Sequence, residues 1–412
     1  MADKYWWPSG GTGTSTGNWS STTNWSSSSA SYVSTTPPTS ADNANFGSYS
    51  GATSFTVTVT ASSLCLALVI NNANMTLAGS GTWSIYGAVT ITSFASRTYT
   101  GTITFAATTS VALNFGTMTF GGTMNFNGTG GTWTLASALN IGAFSLGLTA
   151  GTLNTAGFTV TCSLFTSTGS TTRVLNLGAS TLVCTGAASV WVLTLTGLTF
   201  NAGTSTIQAT SSSNISFSGL GLTYNNVSFT SGTVGDISIT GANTYNNLTF
   251  ASKSSVSVSN IVFDSNQTIT GTLTIPAPTT LGASRYIIAS NTYATTRTIT
   301  AAAVSLTDVD FQDITGAGAA TWSGTRLGDG GGNTGITFDA AKTVFWVGTT
   351  SADWSTNVWS DDPFNAANRI YFPLPQDVAT IEDTNLAAGS NITSSIAYLL
   401  PTIDFSLSLI HI

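Results

Sequence analysis

The segment Thr223-Tyr224-Asn225-Asn226-Val227-Ser228-Phe229 returns as Thr244-Tyr245-Asn246-Asn247-Leu248-Thr249-Phe250, displaced by 21 residues. A second echo, Val160-Thr161-Cys162 against Leu182-Val183-Cys184, is displaced by 22. A unit this short cannot bury its own apolar side chains and needs a similar neighbour on each side, so the period specifies a solenoid. Its building blocks are strand formers in apolar-polar-apolar order, as in Ile103-Thr104-Phe105, Met118-Thr119-Phe120 and Leu198-Thr199-Phe200. Successive side chains on a strand face opposite ways, so each triplet sends two of its three side chains inward. The expected fold is therefore all-β: a right-handed parallel β-helix whose coils, each of two or three short strands, stack at ~4.8 Å. Roughly thirteen coils between residues 55 and 340 would give a rod about 60 Å long. Gly and Asn suit the corners because both tolerate positive φ, and Asn pairs on successive coils can form amide ladders.

Composition removes the competing readings. Charged residues make up 6% of the chain and hydrophobic residues 42%. The longest apolar run, residues 64–70, is strand-sized and far short of the ~18 residues a spanning helix needs. Disorder is excluded by 21 Phe, 11 Tyr and 11 Trp, which supply core surface. The acidic residues are fifteen Asp and a single Glu, Glu382, which argues against exposed helices. A net charge of −7 with nine scattered basic residues offers no patch for nucleic acid. Cys65, Cys162 and Cys184 form no CxxC motif and no disulfide framework. The opening Met1-Ala2-Asp3-Lys4-Tyr5-Trp6-Trp7 lacks a secretory signal pattern, so a surface location implies another export route or release by lysis, as for a phage particle.

One module occurs twice. The first copy reads Tyr5-Trp6, Asn18-Trp19-Ser20, Asn24-Trp25-Ser26, then Pro37-Pro38-Thr39-Ser40-Ala41-Asp42 and Phe46. The second reads Phe345-Trp346-Val347-Gly348, Asp353-Trp354-Ser355, Val358-Trp359-Ser360, then Pro373-Leu374-Pro375-Gln376-Asp377-Val378-Ala379. The expected organisation is a tryptophan-rich cap at 1–50, a parallel β-helix at 51–340 and a second tryptophan-rich module at 341–406. Residues 407–412, Leu-Ser-Leu-Ile-His-Ile, match the translation of a transposon-end adapter used in sequencing libraries (CTG TCT CTT ATA CAC ATC). On that reading the second module is truncated and His411, the only histidine, is foreign to the natural chain.

At the tryptophan module, and again at Gly332-Asn333-Thr334-Gly335-Ile336, the chain resembles a group of uncharacterised repeat proteins of uncultured tailed phages and small environmental bacteria. Members carry a Tyr-Trp-Val-Gly-Gly-like opening, paired Asn-Trp or Asp-Trp steps, a Pro-Thr-Ser-Ala-Asp turn and Thr-rich β-helix coils with Asn-Asn-Leu-Thr strands. The resemblance implies a virion-associated fibre or surface protein, and it transfers no catalytic residue.

Without a native histidine, Ser-His-Asp catalysis, Cys-His nucleophiles and His-ligated metals have no support. Carboxylates are the remaining route to chemistry. Asp308 and Asp310 share a strand face with Asp313 near the next turn, which makes the three catalytic candidates for glycoside hydrolysis. No Arg, Lys, His or Tyr accompanies the group in the sequence to tune it, so solvated or turn-capping carboxylates are the plainer expectation. Asp308, Asp310 and Asp329 are the candidate Ca²⁺ ligands, and no other cofactor is implied. Trp6, Trp19, Trp25, Trp346, Trp354 and Trp359 are candidate stacking platforms for sugars; the alternative is that they plug the open end of the solenoid. Thr56-Val57-Thr58-Val59-Thr60 has an ice-binding look, but comparable strings elsewhere wander out of register.

The expectation is a non-enzymatic, elongated structural or adhesive protein of a virion or extracellular surface, most simply a phage fibre component. A polysaccharide-degrading tailspike and a carbohydrate-binding surface module are the alternatives. Partners would be a cell-surface polysaccharide, other virion proteins or further copies of the chain.

Overall fold

A computed structural model of the chain describes residues 1–7, 15–49, 54–94, 96–279, 282–356, 358–364, 372–382, 387 and 389–406. Residues 407–412, read above as adapter translation, lie outside this set. The fold is an all-β parallel solenoid of about 16 turns, as the period requires. The chain separates into two compact units, residues 1–209 and 210–412, and the joins expected at 50 and 340 fall within these units.

In the first unit, three rows of strands run up the coils. One row passes through Asp42–Phe46, Leu68–Asn71, Val89–Ser93 and Ser110–Asn114, with Ala44 opposite Leu68, Leu68 opposite Val89 and Val89 opposite Leu113. A second stacks Ser63–Cys65, Trp83–Ile85, Ile103–Phe105 and the start of Met124–Leu135. The third holds Leu139–Asn140, Val160–Cys162, Thr181–Cys184 and Thr206–Ala209. Alternation does the sorting: in Phe55–Val59 the side chains of Phe55, Val57 and Val59 are buried while Thr56 and Thr58 face outward. Slipping such a strand by one residue would exchange the two sets, so the apolar pattern pins the register.

The second unit repeats the scheme. Its 21-residue echo lies in register, with Tyr224 opposite Tyr245 and Phe229 opposite Phe250. The paired rings stack at centroid distances of 5.8 and 5.1 Å. In the first unit Phe105 stacks on Phe126 at 4.9 Å and Phe165 on Trp191 at 4.7 Å. Each such pair adds roughly 0.5–1.5 kcal/mol beyond its area burial.

Asparagine forms the expected ladders. Asn201 donates to Asn176 at 2.6 Å and Asn176 to Asn154 at 2.5 Å, one coil per step; in the second unit Asn247 donates to Asn226 at 2.9 Å. Close stacking also dictates glycine where backbones touch. At Gly79, with φ +103°, a Cβ would sit 2.2 Å from the Val59 carbonyl oxygen.

The first tryptophan module grows directly into the solenoid. Ala2–Trp6 pairs in parallel with Asp42–Phe46, itself a strand of the first row. Its other edge is covered by the antiparallel Trp25–Ser26, which ends the parallel ladder with a strand of opposite sense. The second module copies this: Thr343–Trp346 is antiparallel to Trp359–Ser360 and parallel to Val378–Glu382, which pairs on with Thr402–Ser406.

Replacing Asn176 with alanine breaks two ladder bonds at once. The expected cost is about 1–2 kcal/mol, measured by denaturant unfolding, with strand content unchanged.

Candidate functional site

The recurring tryptophans pack on one another. In the first copy Trp6 meets Trp25 edge-on at 5.2 Å, Trp25 meets Trp19 at 5.0 Å, and Trp83, two coils on, closes on Trp19 at 5.0 Å. Phe46 touches all three module rings. The indole of Trp25 donates to the Trp19 carbonyl at 2.7 Å, and that of Trp359 to the Trp354 carbonyl at 3.1 Å, so the two copies share their wiring. In the second copy Trp346 and Trp354 each pack on Trp359, at 5.1 and 4.5 Å. Asp42 and Asp377 also match, each accepting from a backbone amide three residues earlier, of Thr39 and Leu374.

This corrects the sugar-platform expectation for Trp6, Trp19, Trp25, Trp346, Trp354 and Trp359. All six are at most 4% exposed, because each ring is another's packing partner. A stacking platform needs an open face. A groove of about 430 Å³ does open beside the second copy, lined by Trp354, Ile392, Leu400, Ile403 and Phe405 among others. In the first copy the corresponding strand, Leu68–Asn71, has Val89–Ser93 paired to its outer side. Among the described residues no strand pairs with Thr402–Ser406 in that position.

The aspartates give the second correction. Asp308 and Asp310 are neither solvated nor unaccompanied; each is 1% exposed and bound to arginine. Arg285 leads the strand Arg285–Ser290, which pairs with Val309–Gln312 one coil on. Its Nε donates to both Asp310 oxygens at 2.8 and 2.9 Å, and its Nη2 donates to Asp310 Oδ1 at 2.6 Å and to the Arg326 carbonyl at 2.7 Å. Its Nη1 reaches Asp308 at 3.1 Å, and Arg326 Nε donates to the same Asp308 oxygen at 2.6 Å. Two carboxylates and two guanidiniums thus form a neutral cluster with its hydrogen bonds made. Burial pushes the Asp310 carboxyl above its usual range despite Arg285. For Arg285 burial acts in the opposite sense, but Asp310 and Asp308 together outweigh it and hold the guanidinium charged.

The second module covers this cluster. A Cβ on Gly328 would meet Asp310 Oδ1 at 1.9 Å and Pro375 at 2.6 Å, so only glycine fits between the carboxylate and the Pro-Leu-Pro turn. Gln376 accepts from the Asp329 amide at 2.9 Å and donates to the Leu327 and Asp339 carbonyls at 3.0 and 3.1 Å. Tyr398 donates to the Ala283 carbonyl at 2.7 Å. The arrangement joins a solenoid end to the next module. It leaves Asp308 and Asp310 each 1% exposed.

The remaining candidates have turn roles. Asp313, at φ 56°, accepts from the Ala294 amide at 2.9 Å. Asp329 accepts from the Gly331 amide at 3.0 Å and from Asn333 Nδ2 at 2.7 Å. The Ca²⁺ expectation for Asp308, Asp310 and Asp329 is corrected as well, since the first two face guanidiniums where a cation would sit. Among the described residues no three His, Cys, Asp or Glu side chains gather as a metal site.

Arg173 and Lys253 are further buried cations that no sequence pattern marks. Among the described residues no carboxylate pairs with Arg173, which donates instead to Ser167 Oγ and to the carbonyls of Gly169, Thr171, Thr194 and Thr196, tying a corner to the coil above. Lys253 donates to Ser257 and Ser259 at 3.1 and 2.6 Å and lies 4.8 Å from the Tyr286 ring centre. Burial pushes its amine down to about 8, with Asp236 pulling the other way.

No described helix is long and apolar enough to cross a membrane. No protein-family model matches the chain, and searches of the curated proteins and of the solved structures return no match.

Three outcomes follow from these contacts. Arg285→Leu leaves two buried carboxylates without their shared partner; the expected loss is about 3–5 kcal/mol, with earlier proteolytic cleavage near residues 340–342. Trp25→Ala opens a cavity in the first module at a cost of about 3–5 kcal/mol, read by thermal unfolding. For Lys253 the amine titrates near 8 when folded but near about 10.4 when unfolded, so between those values the unfolded chain binds more protons. Stability should therefore rise as pH increases from about 8 to about 10, and Lys253→Met should flatten that rise.

Proposed function

We propose that the chain is a non-enzymatic structural protein of the fibre or adhesin type, carried on a virion or an extracellular surface. The reading is carried by the position of its carboxylates. Asp308 and Asp310, the residues best placed for acid–base work, are sealed beneath the second tryptophan module and ion-paired to Arg285 and Arg326. Their role is to fasten that module to the last coil of the solenoid in its unit. Recurrence of the module suits a serial design in which tryptophan-rich elements alternate with stacked coils. Low charge and outward-facing Ser, Thr and Asn suit a surface that meets other proteins or glycans without a strong field. The likeness of the tryptophan module to repeat proteins of tailed phages favours a virion, with other virion proteins or a cell-surface polysaccharide as partners.

The test is turnover. Purified chain incubated with a panel of bacterial polysaccharides is expected to release no new reducing ends, while resisting protease under the same conditions. Turnover that disappears in Asp308→Asn or Asp310→Asn, with strand circular dichroism retained, would contradict the proposal in favour of a tailspike hydrolase.

A further inference from the structure

Cys162 and Cys184 stand one coil apart in the third strand row of the first unit. They are register partners on the adjacent parallel strands Val160–Cys162 and Thr181–Cys184. Both are fully buried. Neighbouring strands lie about 4.8 Å apart, inside the roughly 4.4–6.8 Å Cα separation that a disulfide spans. Cys65, the third thiol, is buried in the second row, where its register partner is Ile85 rather than another cysteine.

We propose that Cys162 and Cys184 are the site of an intramolecular disulfide, made while the chain folds in an oxidising compartment, that staples two successive coils. The reaction needs a small disulfide of the oxidised-glutathione type. The thiolate of one cysteine attacks a sulfur of that reagent, the reagent's S–S bond breaks, and one glutathione leaves as its thiol. The thiolate of the second cysteine then attacks the protein sulfur of the mixed disulfide and releases the second glutathione. Two protein thiols are thereby oxidised by two electrons, and one oxidised glutathione is reduced to two thiols. Timing follows from burial. In the closed coil the contact with Cys184, together with desolvation, holds the Cys162 thiol protonated and away from reagents, so exchange belongs to the open chain. A finished bond is protected by the same enclosure. This chemistry is independent of the proposed surface role: it requires that an oxidising disulfide reach the chain before these coils close.

The chain is unfolded under reducing conditions and refolded in a glutathione redox buffer, then acid-quenched, denatured and titrated for thiols. The expected product has one titratable thiol, Cys65, is about 2 Da lighter than the reduced chain, and yields a peptide linking Cys162 to Cys184. Its unfolding midpoint drops by about 5 °C on reduction. Neither Cys184→Ala nor Cys162→Ala shows the mass loss or the reductant-dependent shift. The proposal is overturned if the refolded chain, with its strand circular dichroism regained, keeps three free thiols. It is equally overturned if the bond recruits Cys65, or if strand structure returns only in reducing buffer.

Discussion

Everything in this protein depends on a coil of about 21 to 25 residues being unable to bury its own inner row. Neighbouring coils must supply both the lid over the apolar side chains and the partners of the backbone groups. That requirement explains why like sits over like. Tyr224 lies under Tyr245, Phe229 under Phe250 and Asn176 under Asn201, because in-register stacking puts the same chemistry at the same place on each turn. It also explains the glycines at close backbone approaches and the outward wall of Thr and Ser. Register and burial are one constraint here, since a slip of one residue would turn every core side chain to water.

A ladder of parallel strands creates its own difficulty at its first strand, where amides and carbonyls lack a preceding coil. The chain answers with the tryptophan module. An antiparallel strand, Trp25–Ser26 or Trp359–Ser360, closes the edge, and mutually packed indoles fill the space behind it. In the second unit the module is also fastened laterally by Gln376 and seated over the Arg285–Asp308–Asp310–Arg326 cluster. Buried ion pairs of this kind contribute little net stability relative to apolar packing, yet breaking one is costly. The cluster therefore specifies how the module sits more than how strongly the whole chain folds.

The solenoid was legible because period and alternation are carried by many residues at once. The paired tryptophan modules were legible for the same reason. The Asp308–Asp310 environment differs from the solvated carboxylates that the sequence suggests, although its signal is present there. Arg285 precedes Asp308 by 23 residues, the offset of the two strands here, and counting back one such coil sets the guanidinium beside the carboxylates. Cys162 and Cys184 form a 22-residue echo, and such echoes are contacts between neighbouring coils. Burial of the tryptophans could not be decided from sequence, because a ring that plugs a core and a ring that stacks on sugar have the same spacing. Arg173 and Lys253 left no trace in any pattern, since their partners are mainly backbone carbonyls and serine hydroxyls at coil corners.

The central claim is that successive coils stack in parallel and in register. Spin labels on Ser228→Cys and Thr249→Cys test it directly, since these half-buried positions are register partners and the three native thiols are buried. Labels on strands about 4.8 Å apart should interact strongly, giving a continuous-wave spectrum much broader than either single label. A doubly labelled spectrum equal to the sum of the two single ones would mean that these strands are not neighbours, and would contradict the stacked-coil account.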